Sequence, residues 1–83
     1  MNTKVRFQLF AGMKDAAGAS HLEIEVPIGT TLEDAVERLL LDNAGLHLWR
    51  GRIAFARADR LVNGHLVIDQ PTDIDLLPPV SGG

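Results

Sequence analysis

The feature that most restricts the fold of this chain is one amphipathic helix, which lies between segments that alternate like strands. Its apolar residues recur at spacings of three and four, the period of a helix with one buried face. They are Leu32, Ala35, Val36, Leu39 and Leu40. At its start Thr30 and Glu33 fit a capping box, and Thr31 with Asp34 fits a weaker version of the same motif. Asn43 and Gly45 are the predicted stop.

Two segments before this helix alternate between apolar and polar residues, as strands with one buried face do. The first is Lys4–Phe10 and the second is 21–27, which Pro27 closes. Because they are close in sequence, they should pair antiparallel. Between them there is room for one helical turn, which Gly18 would end in a left-handed conformation. Phe10 breaks the alternation, which predicts either a strand end covered by the next loop or a contact surface.

The region after the helix is less regular. Residues 46–58 mix apolar side chains with arginines, and we interpret them as a loop with some helical turn that folds Trp49 or Phe55 over the edge of the core. Residues 73–77 alternate again and form the predicted last strand.

An Asn-Gly pair between apolar residues predicts a tight hairpin near the end of the chain. Both central residues of such a turn need positive φ, which asparagine and glycine tolerate best. With Asn63-Gly64 as the turn, Leu61-Val62 would pair with residues 65–68.

The order of elements indicates the fold class. Two hairpins flank one helix, so one sheet is expected to pack on that helix. The helix crossover permits the first and last strands to lie side by side and parallel in the centre of the sheet. The prediction is an α+β protein, a ubiquitin-like β-grasp with a mixed sheet packed on one main helix. The 83 residues are expected to form one domain over 1–83.

Composition excludes several classes of protein. The chain has no cysteine, which excludes disulfides, thiolate metal sites and cysteine nucleophiles. A net charge of −3, with no stripe of lysine and arginine between aromatic residues, argues against nucleic acid. Neither a secretory signal nor an apolar run of about 20 residues is found, so we expect a cytoplasmic protein that does not bind membranes.

The polar residues form no recognisable catalytic or metal-binding set. The three histidines have no ligand spacing to one another or to carboxylates, and we interpret them as surface or strand-edge residues; they are His21, His47 and His65. Two pairs of carboxylates each share one face of a strand, and we interpret these faces as the solvated outer side of the sheet; the pairs are Glu23 with Glu25 and Asp73 with Asp75. No metal site is therefore expected, and the carboxyl terminus remains as the candidate reactive group.

The ending of the chain has an order that an incidental tail does not need. An apolar run enters two prolines, followed by a valine, a small residue and two glycines, LLPPVSGG. Proline withholds backbone donors, so the chain should leave the sheet, and we expect a flexible tail over residues 78–83. Gly82 and Gly83 lack a Cβ and suit a slot too narrow for side chains. A carboxylate on Gly83 would be ionised and would need activation, as a mixed anhydride with AMP, before a nucleophile could attack it.

Several motifs make the chain resemble the small subunit of molybdopterin synthase, in the ubiquitin-like sulfur-carrier superfamily. They are Phe10-Ala11-Gly12 with Lys14 and Gly18 in the family's spacing, Val62-Asn63-Gly64, and Leu77-Pro78-Pro79-Val80-Ser81-Gly82-Gly83. The ending is the most specific of these motifs. Two regions depart from the family: Gln70-Pro71-Thr72 stands where an acidic-glycine turn is usual, and residues 46–55 match no pattern. Both departures concern loops and not the tail.

The resemblance implies a sulfur-transfer cycle in molybdopterin (molybdenum cofactor) biosynthesis. A ubiquitin-activating-type adenylating enzyme would use ATP and magnesium to form an acyl-adenylate on Gly83. A sulfur donor protein would convert it to a thiocarboxylate, which the large synthase subunit would use to transfer sulfur to a pterin precursor. The chain itself would then be no enzyme and would bind no cofactor.

The same resemblance implies roles for individual residues. Gly83 is the modified residue, and Ser81 with Gly82 lies in the channel of the partner. The implied partner-binding residues are Phe10, Lys14, Leu66, Leu77, Pro78 and Pro79.

Three alternatives stay open. A sulfur carrier for thiamin or tRNA thiolation would share the Gly-Gly chemistry, although Pro-Pro-Val-Ser before it favours the molybdopterin branch. A ubiquitin-like protein modifier would join the same carboxylate to an amine. A β-grasp binding module would have an inert tail.

Overall fold

A computed structural model describes residues 1–78 of the chain. The helices and strands are β1 (Asn2–Leu9), α1 (Ala11–Ala17), β2 (His21–Pro27), β3 (Thr30–Thr31), α2 (Leu32–Asp42), a 3₁₀ helix (Ala44–Trp49), β4 (Ala54–Arg57), β5 (Arg60–Val62), β6 (Val67–Ile68) and β7 (Thr72–Leu77). No helix in this part of the chain is long and apolar enough to cross a membrane.

The strands form a mixed five-stranded sheet in the order β2-β1-β7-β4-β5. β1 and β7 are parallel, with Phe7 opposite Ile74, whereas β1–β2, β4–β7 and β4–β5 are antiparallel. β3 and β6 form a separate antiparallel pair. The predicted β-grasp, with its first and last strands adjacent and parallel, is confirmed.

The core lies between the sheet and α2. Alternate residues of β1 and β7 point into it, and α2 turns its apolar stripe towards them, as its 3.6-residue period requires. The buried residues from these elements are Val5, Phe7, Leu9, Leu32, Ala35, Val36, Leu39, Leu40, Ile74 and Leu76. Met13 of α1 and Leu46 of the 3₁₀ helix are fully buried and close the core at its side. Each large side chain so buried stabilises the fold by about 1.5–3 kcal/mol before entropic costs.

The first strand is shifted relative to its predicted bounds, whereas the helical turn that follows it ends at the predicted residue. β1 spans Asn2–Leu9 rather than Lys4–Phe10, because Phe10 takes the N-cap position of α1. Gly18 ends α1 with φ of 71°, in the left-handed conformation expected of it.

The cap of α2 differs from the stronger of the two predicted motifs. Thr31 is the N-cap, and its hydroxyl accepts a hydrogen bond from the backbone N–H of Asp34 at 3.3 Å. Thr30 instead pairs with Ile68 in the β3–β6 ladder, and its hydroxyl donates to the carbonyl oxygen of Pro27 at 2.6 Å. The Thr30–Glu33 capping box is therefore wrong, because strand pairing already uses the backbone of Thr30.

The predicted hairpin at Asn63-Gly64 is also wrong. β5 pairs with β4, and the turn between them is Ala58-Asp59, with φ of 51° and 64°. β6 pairs with β3 and not with β5. The two turn residues do take positive φ, as a two-residue hairpin needs, but neither is the glycine that such a turn usually contains.

Asn63-Gly64 forms a different kind of turn, which rests on the start of α2. The side-chain oxygen of Asn63 accepts from the backbone N–H of His65 at 2.8 Å, and the carbonyl oxygen of Gly64 accepts from that of Glu33 at 3.0 Å. A Cβ on Gly64 would lie 2.9 Å from the Cβ of Glu33. The glycine is needed here for close approach to the helix.

The prediction for the irregular region 46–58 is right only for its first half. Residues 54–57 are not part of a loop but form β4, which pairs with β7 on one side and β5 on the other. The alternation of Ile53 and Phe55 is therefore a strand signal.

The helical turn of this region is the 3₁₀ helix, and Trp49 and Phe55 are half-buried against the core. A Cβ on Gly12 would lie 3.1 Å from Cζ2 of Trp49, so the indole packs closely over α1. Asn43 ends α2 as predicted, with its side-chain amide donating to the carbonyl of Leu39 at 2.8 Å.

Candidate functional site

The candidate site is the end of the sheet at which β1 and β7 finish, which we call the exit end and define by Phe10, Leu77 and Pro78. β7 is hydrogen-bonded by β1 on one side and by β4 on the other, with Ile74 and Leu76 fully buried. The last described residues of the chain therefore follow a strand that is paired on both sides.

The parallel register brings Phe10 and Leu77 together at the exit end. Leu9 lies opposite Leu76, and Phe10 continues β1 with extended backbone angles, φ −130° and ψ 153°. One further step of the register places Phe10 beside Leu77. Phe10 is 43% exposed, whereas Leu77 and Pro78 are half-buried. This pair forms an apolar surface at the point where the tail begins.

A sharp turn after Phe10 explains its exposure. Ala11 has φ of 50°, an unfavourable value for a residue with a Cβ, and α1 begins there. The backbone N–H groups of Met13 and Lys14 both donate to the carbonyl oxygen of Phe10, at 3.1 and 3.4 Å. Met13 fills the core in place of Phe10, and Lys14 is exposed one turn along α1.

Leu66 belongs to a different part of the fold. Its backbone N–H donates to the carbonyl of Asn63 at 3.2 Å, and its carbonyl accepts from the N–H of Leu32 at 2.8 Å. The side chain is half-buried against the core. These contacts tie Leu66 to the start of α2, whereas Phe10 and Leu77 lie at strand ends. Its role in partner binding stays a prediction.

Leu61 is a candidate contact residue that sequence reasoning missed. Ala54 lies opposite Leu77 and Ala56 lies opposite Leu61, so these four side chains share one face of the sheet. This is the face turned away from α2, because Ile74 and Leu76 point the other way. Leu61 is 76% exposed and Ala54 is exposed, whereas Ala56 is buried. Leu61 and Ala54 therefore add exposed apolar area to the face that carries Leu77. Leu61 could have been predicted on this face only from a hairpin turn at Ala58-Asp59 rather than at Asn63-Gly64.

The three histidines lie on the surface, and the carboxylates of the described residues are exposed or half-buried. Among residues 1–78 no group of three histidine, aspartate or glutamate side chains is placed to hold a metal ion. The Nε2 atom of His47 lies 2.6 Å from the carbonyl oxygen of Leu40 and is a donor to it. Four residues of the predicted site, Pro79, Ser81, Gly82 and Gly83, lie outside the described part of the chain.

The sequence matches a family model over nearly its whole length. Residues 7–83 match the ThiS family. A molybdopterin synthase sulfur carrier subunit from Arabidopsis thaliana is 22% identical over 82 residues, which are 99% of this chain and 85% of that protein.

Solved structures with the same fold include two of direct interest. The crystal structure of SAMP1 from Haloferax volcanii superposes with a TM-score of 0.82 at 24% identity, covering 96% of this chain and 99% of that one. The second is a protein–protein complex of subunits 1 and 2 of molybdopterin-converting factor from Helicobacter pylori. One chain of that complex superposes with a TM-score of 0.68 at 27% identity, covering 98% of this chain and 100% of that one. The chain belongs to the ThiS family and is a ubiquitin-like β-grasp homologue of the sulfur carrier subunit of molybdopterin synthase.

Proposed function

We propose that this chain is the sulfur-carrying small subunit of a molybdopterin synthase and that the carboxylate of Gly83 carries the sulfur. The observation that carries the proposal is the sequence PPVSGG placed directly after β7, in a chain that belongs to the ThiS family. β7 is anchored on both sides, so the domain serves as a fixed base for the residues that follow it.

The chemistry follows from the weakness of a carboxylate as an acyl donor. An ionised carboxylate resists nucleophiles, so an adenylating enzyme first joins it to the α-phosphate of ATP, with magnesium, and pyrophosphate leaves. A persulfide on a donor protein then attacks the carbonyl carbon through its terminal sulfur and displaces AMP, which keeps one carboxylate oxygen. A second thiol cleaves the resulting acyl disulfide, forms a disulfide with the donor and leaves the thiocarboxylate on the glycine. A terminal glycine suits these steps because no side chain hinders the carbonyl.

The second half of the cycle needs a partner that surrounds the tail. The chain has no cysteine, so the groups that hold a pterin precursor and move protons are assigned to a large synthase subunit. The apolar surface at the exit end, formed by the exposed Phe10 and the half-buried Leu77, suits burial against that subunit, because covering apolar area at the base of the tail is favourable. The complex of the two Helicobacter pylori subunits supports a partner of this kind.

Two measurements test the proposal. Intact-mass analysis of protein from the native host should show a fraction heavier by one oxygen-to-sulfur exchange, and removal of Gly83 should abolish that fraction. The thiocarboxylated protein, mixed with a large subunit and the pterin precursor, should form the dithiolene product. Failure to do so, with restored thiolation of tRNA or of a thiazole, would assign the chain to another sulfur-carrier pathway.

The likeness to SAMP1, a small archaeal modifier protein, gives a second candidate, in which Gly83 is joined to amines of other proteins. The two candidates differ in the nucleophile that displaces AMP. Conjugates that resist thiols and release a Gly-Gly remnant on lysine after proteolysis would support the modifier, and their absence beside abundant thiocarboxylate would support the carrier.

A further inference from the structure

The edge strand β2 carries backbone groups that are free to pair. Leu9 N donates to Ser20 O at 2.8 Å, and Ile28 N donates to Met1 O at 2.9 Å, at the two ends of the β1–β2 ladder. Because bonded and non-bonded pairs alternate in an antiparallel ladder, the even-numbered residues of β2 bond to β1. The odd-numbered residues turn their N–H and C=O groups outward; within the described chain these are His21, Glu23 and Glu25.

The charges on the face turned away from α2 alternate in sign towards this edge. In one row Asp73 of β7 lies opposite Arg6 of β1, and Arg6 lies opposite Glu23 of β2. In a neighbouring row Lys4 lies opposite Glu25. Both rows end in a carboxylate at the open edge. A further strand that continued the alternation would carry cations at these positions, since opposite charges in directly opposed pairs are favourable.

The other side of the edge is a groove between β2 and α2. Its volume is about 430 Å³, and it is lined by Glu23, Ile24, Glu25, Arg38, Leu41 and Asp42. Leu41 is 65% exposed and Ile24 is half-buried. An added strand that directs cations to the outer face turns its alternate side chains into this groove. Apolar side chains there would cover Leu41.

We propose that the β2 edge binds an extended segment of a partner protein that alternates lysine or arginine with apolar residues. The segment adds to the sheet as a further strand, with backbone hydrogen bonds to Glu23 and Glu25. This surface is separate from the strand that leads to the tail, because β1 lies between β2 and β7. The inference does not depend on sulfur transfer and holds equally for a carrier or a modifier.

The same charges disfavour the other occupants. If β2 paired antiparallel with β2 of a second copy about an axis at Glu23, the two Glu23 carboxylates would lie directly opposite each other, about 4.5–5.5 Å apart between Cβ atoms. A shift of the axis to Ile24 would oppose Glu23 to Glu25. A shift to Leu22 would oppose Glu23 to His21. It would also leave Glu25 opposite Ala19, outside β2, and so shorten the ladder. A polyanion would meet the same carboxylates.

The test uses the full-length protein and a blocked peptide of about six residues that alternates lysine with valine. Amide hydrogen exchange followed by NMR should show exchange at Glu23 and Glu25 slowed about tenfold or more at saturation, with the exit end unchanged. The matching glutamate–valine peptide should give no protection. A basic peptide with the N-methyl groups on the amides that face β2 should lose binding, whereas N-methylation of the opposite amides should leave it intact.

Two protein variants with the same change in charge separate the edge from general electrostatics. Glu23→Lys/Glu25→Lys should lose the basic peptide and gain the acidic one, and Asp15→Lys/Asp69→Lys should behave like the unchanged protein. The proposal is overturned if both double variants lose the basic peptide equally, if N-methylation on either side has the same effect, or if Glu23 and Glu25 are protected without peptide by a dimer or by a polyanion.

Discussion

The two edges of the sheet are protected in different ways. β2 has seven residues and carries carboxylates along its outer face, whereas β5 has only three residues. Charge is one way to prevent unwanted strand pairing, and shortness is another. The difference leaves β2 selective for the charge of an added strand. It leaves β5 unable to pair over any length, but free to present Leu61, which is 76% exposed, as an apolar contact.

β7 is the central strand and joins the two halves of the sheet, so a substitution in its buried face should have the largest effect on stability. Ile74→Ala removes a fully buried side chain of β7 and should lower the free energy of unfolding by about 2–5 kcal/mol. Asp73→Ala, on the opposite face of the same strand, should lower it by about 1 kcal/mol or less. Urea denaturation of both variants measures the difference. Equal effects would show that β7 is not anchored through its inner face.

A charge on the β5 edge tests whether that edge serves as an apolar contact. Leu61→Glu should weaken binding to a large synthase subunit by about 2 kcal/mol, or roughly thirtyfold in Kd, because it places an unpaired charge in the interface. Stability should be nearly unchanged, since the side chain is exposed. Leu48→Glu is the control, because Leu48 is 81% exposed on the 3₁₀ helix. Calorimetric titration that gives the same Kd for both variants would exclude Leu61 from the interface.

The turn between β5 and β6 should tolerate no side chain at Gly64. Gly64→Ala places a Cβ 2.9 Å from that of Glu33, so we expect the free energy of unfolding to fall by about 1–3 kcal/mol. Asn63→Ala, which removes only the bond to the N–H of His65, should cost about 1 kcal/mol. Thermal unfolding of the two variants provides the comparison. A stabilising Gly64→Ala would contradict the close packing on α2.

The smallest expected effect is a gain in stability from two substitutions in the β4–β5 turn. Ala58→Asn with Asp59→Gly supplies residues that accept positive φ more readily, and should raise the free energy of unfolding by about 0.5–1 kcal/mol. The same denaturation assay measures it. If the double variant were less stable than the parent, the turn would not lie at these two residues.

Much of the fold could be predicted because the longest elements carry their own periodicity. The alternation in β1 and the stripe of α2 each repeat several times, and each repeat points to the same buried face. The N-cap of α2 was harder to predict, because Thr30 and Thr31 are each followed, three residues on, by an acidic residue that fits a capping box. Only the pairing of Thr30 with Ile68 decides between them.

The candidate site was predicted unevenly for a similar reason. Phe10 was singled out because it breaks the alternation of a long strand, and Leu77 only through the family resemblance. The parallel register then brings the ends of their two strands together. Leu61 was missed because its exposure depends on β5 pairing with β4 and not with residues 65–68.

The sequence by itself determined the helix, the long strands and the parallel centre of the sheet. Tertiary structure alone decided which partners the short strands take. β5 and β6 have three and two residues, too few to specify a partner by pattern. Their pairing depends on what distant residues bury, and Ile68 is buried only because β6 lies beside β3 at the start of α2.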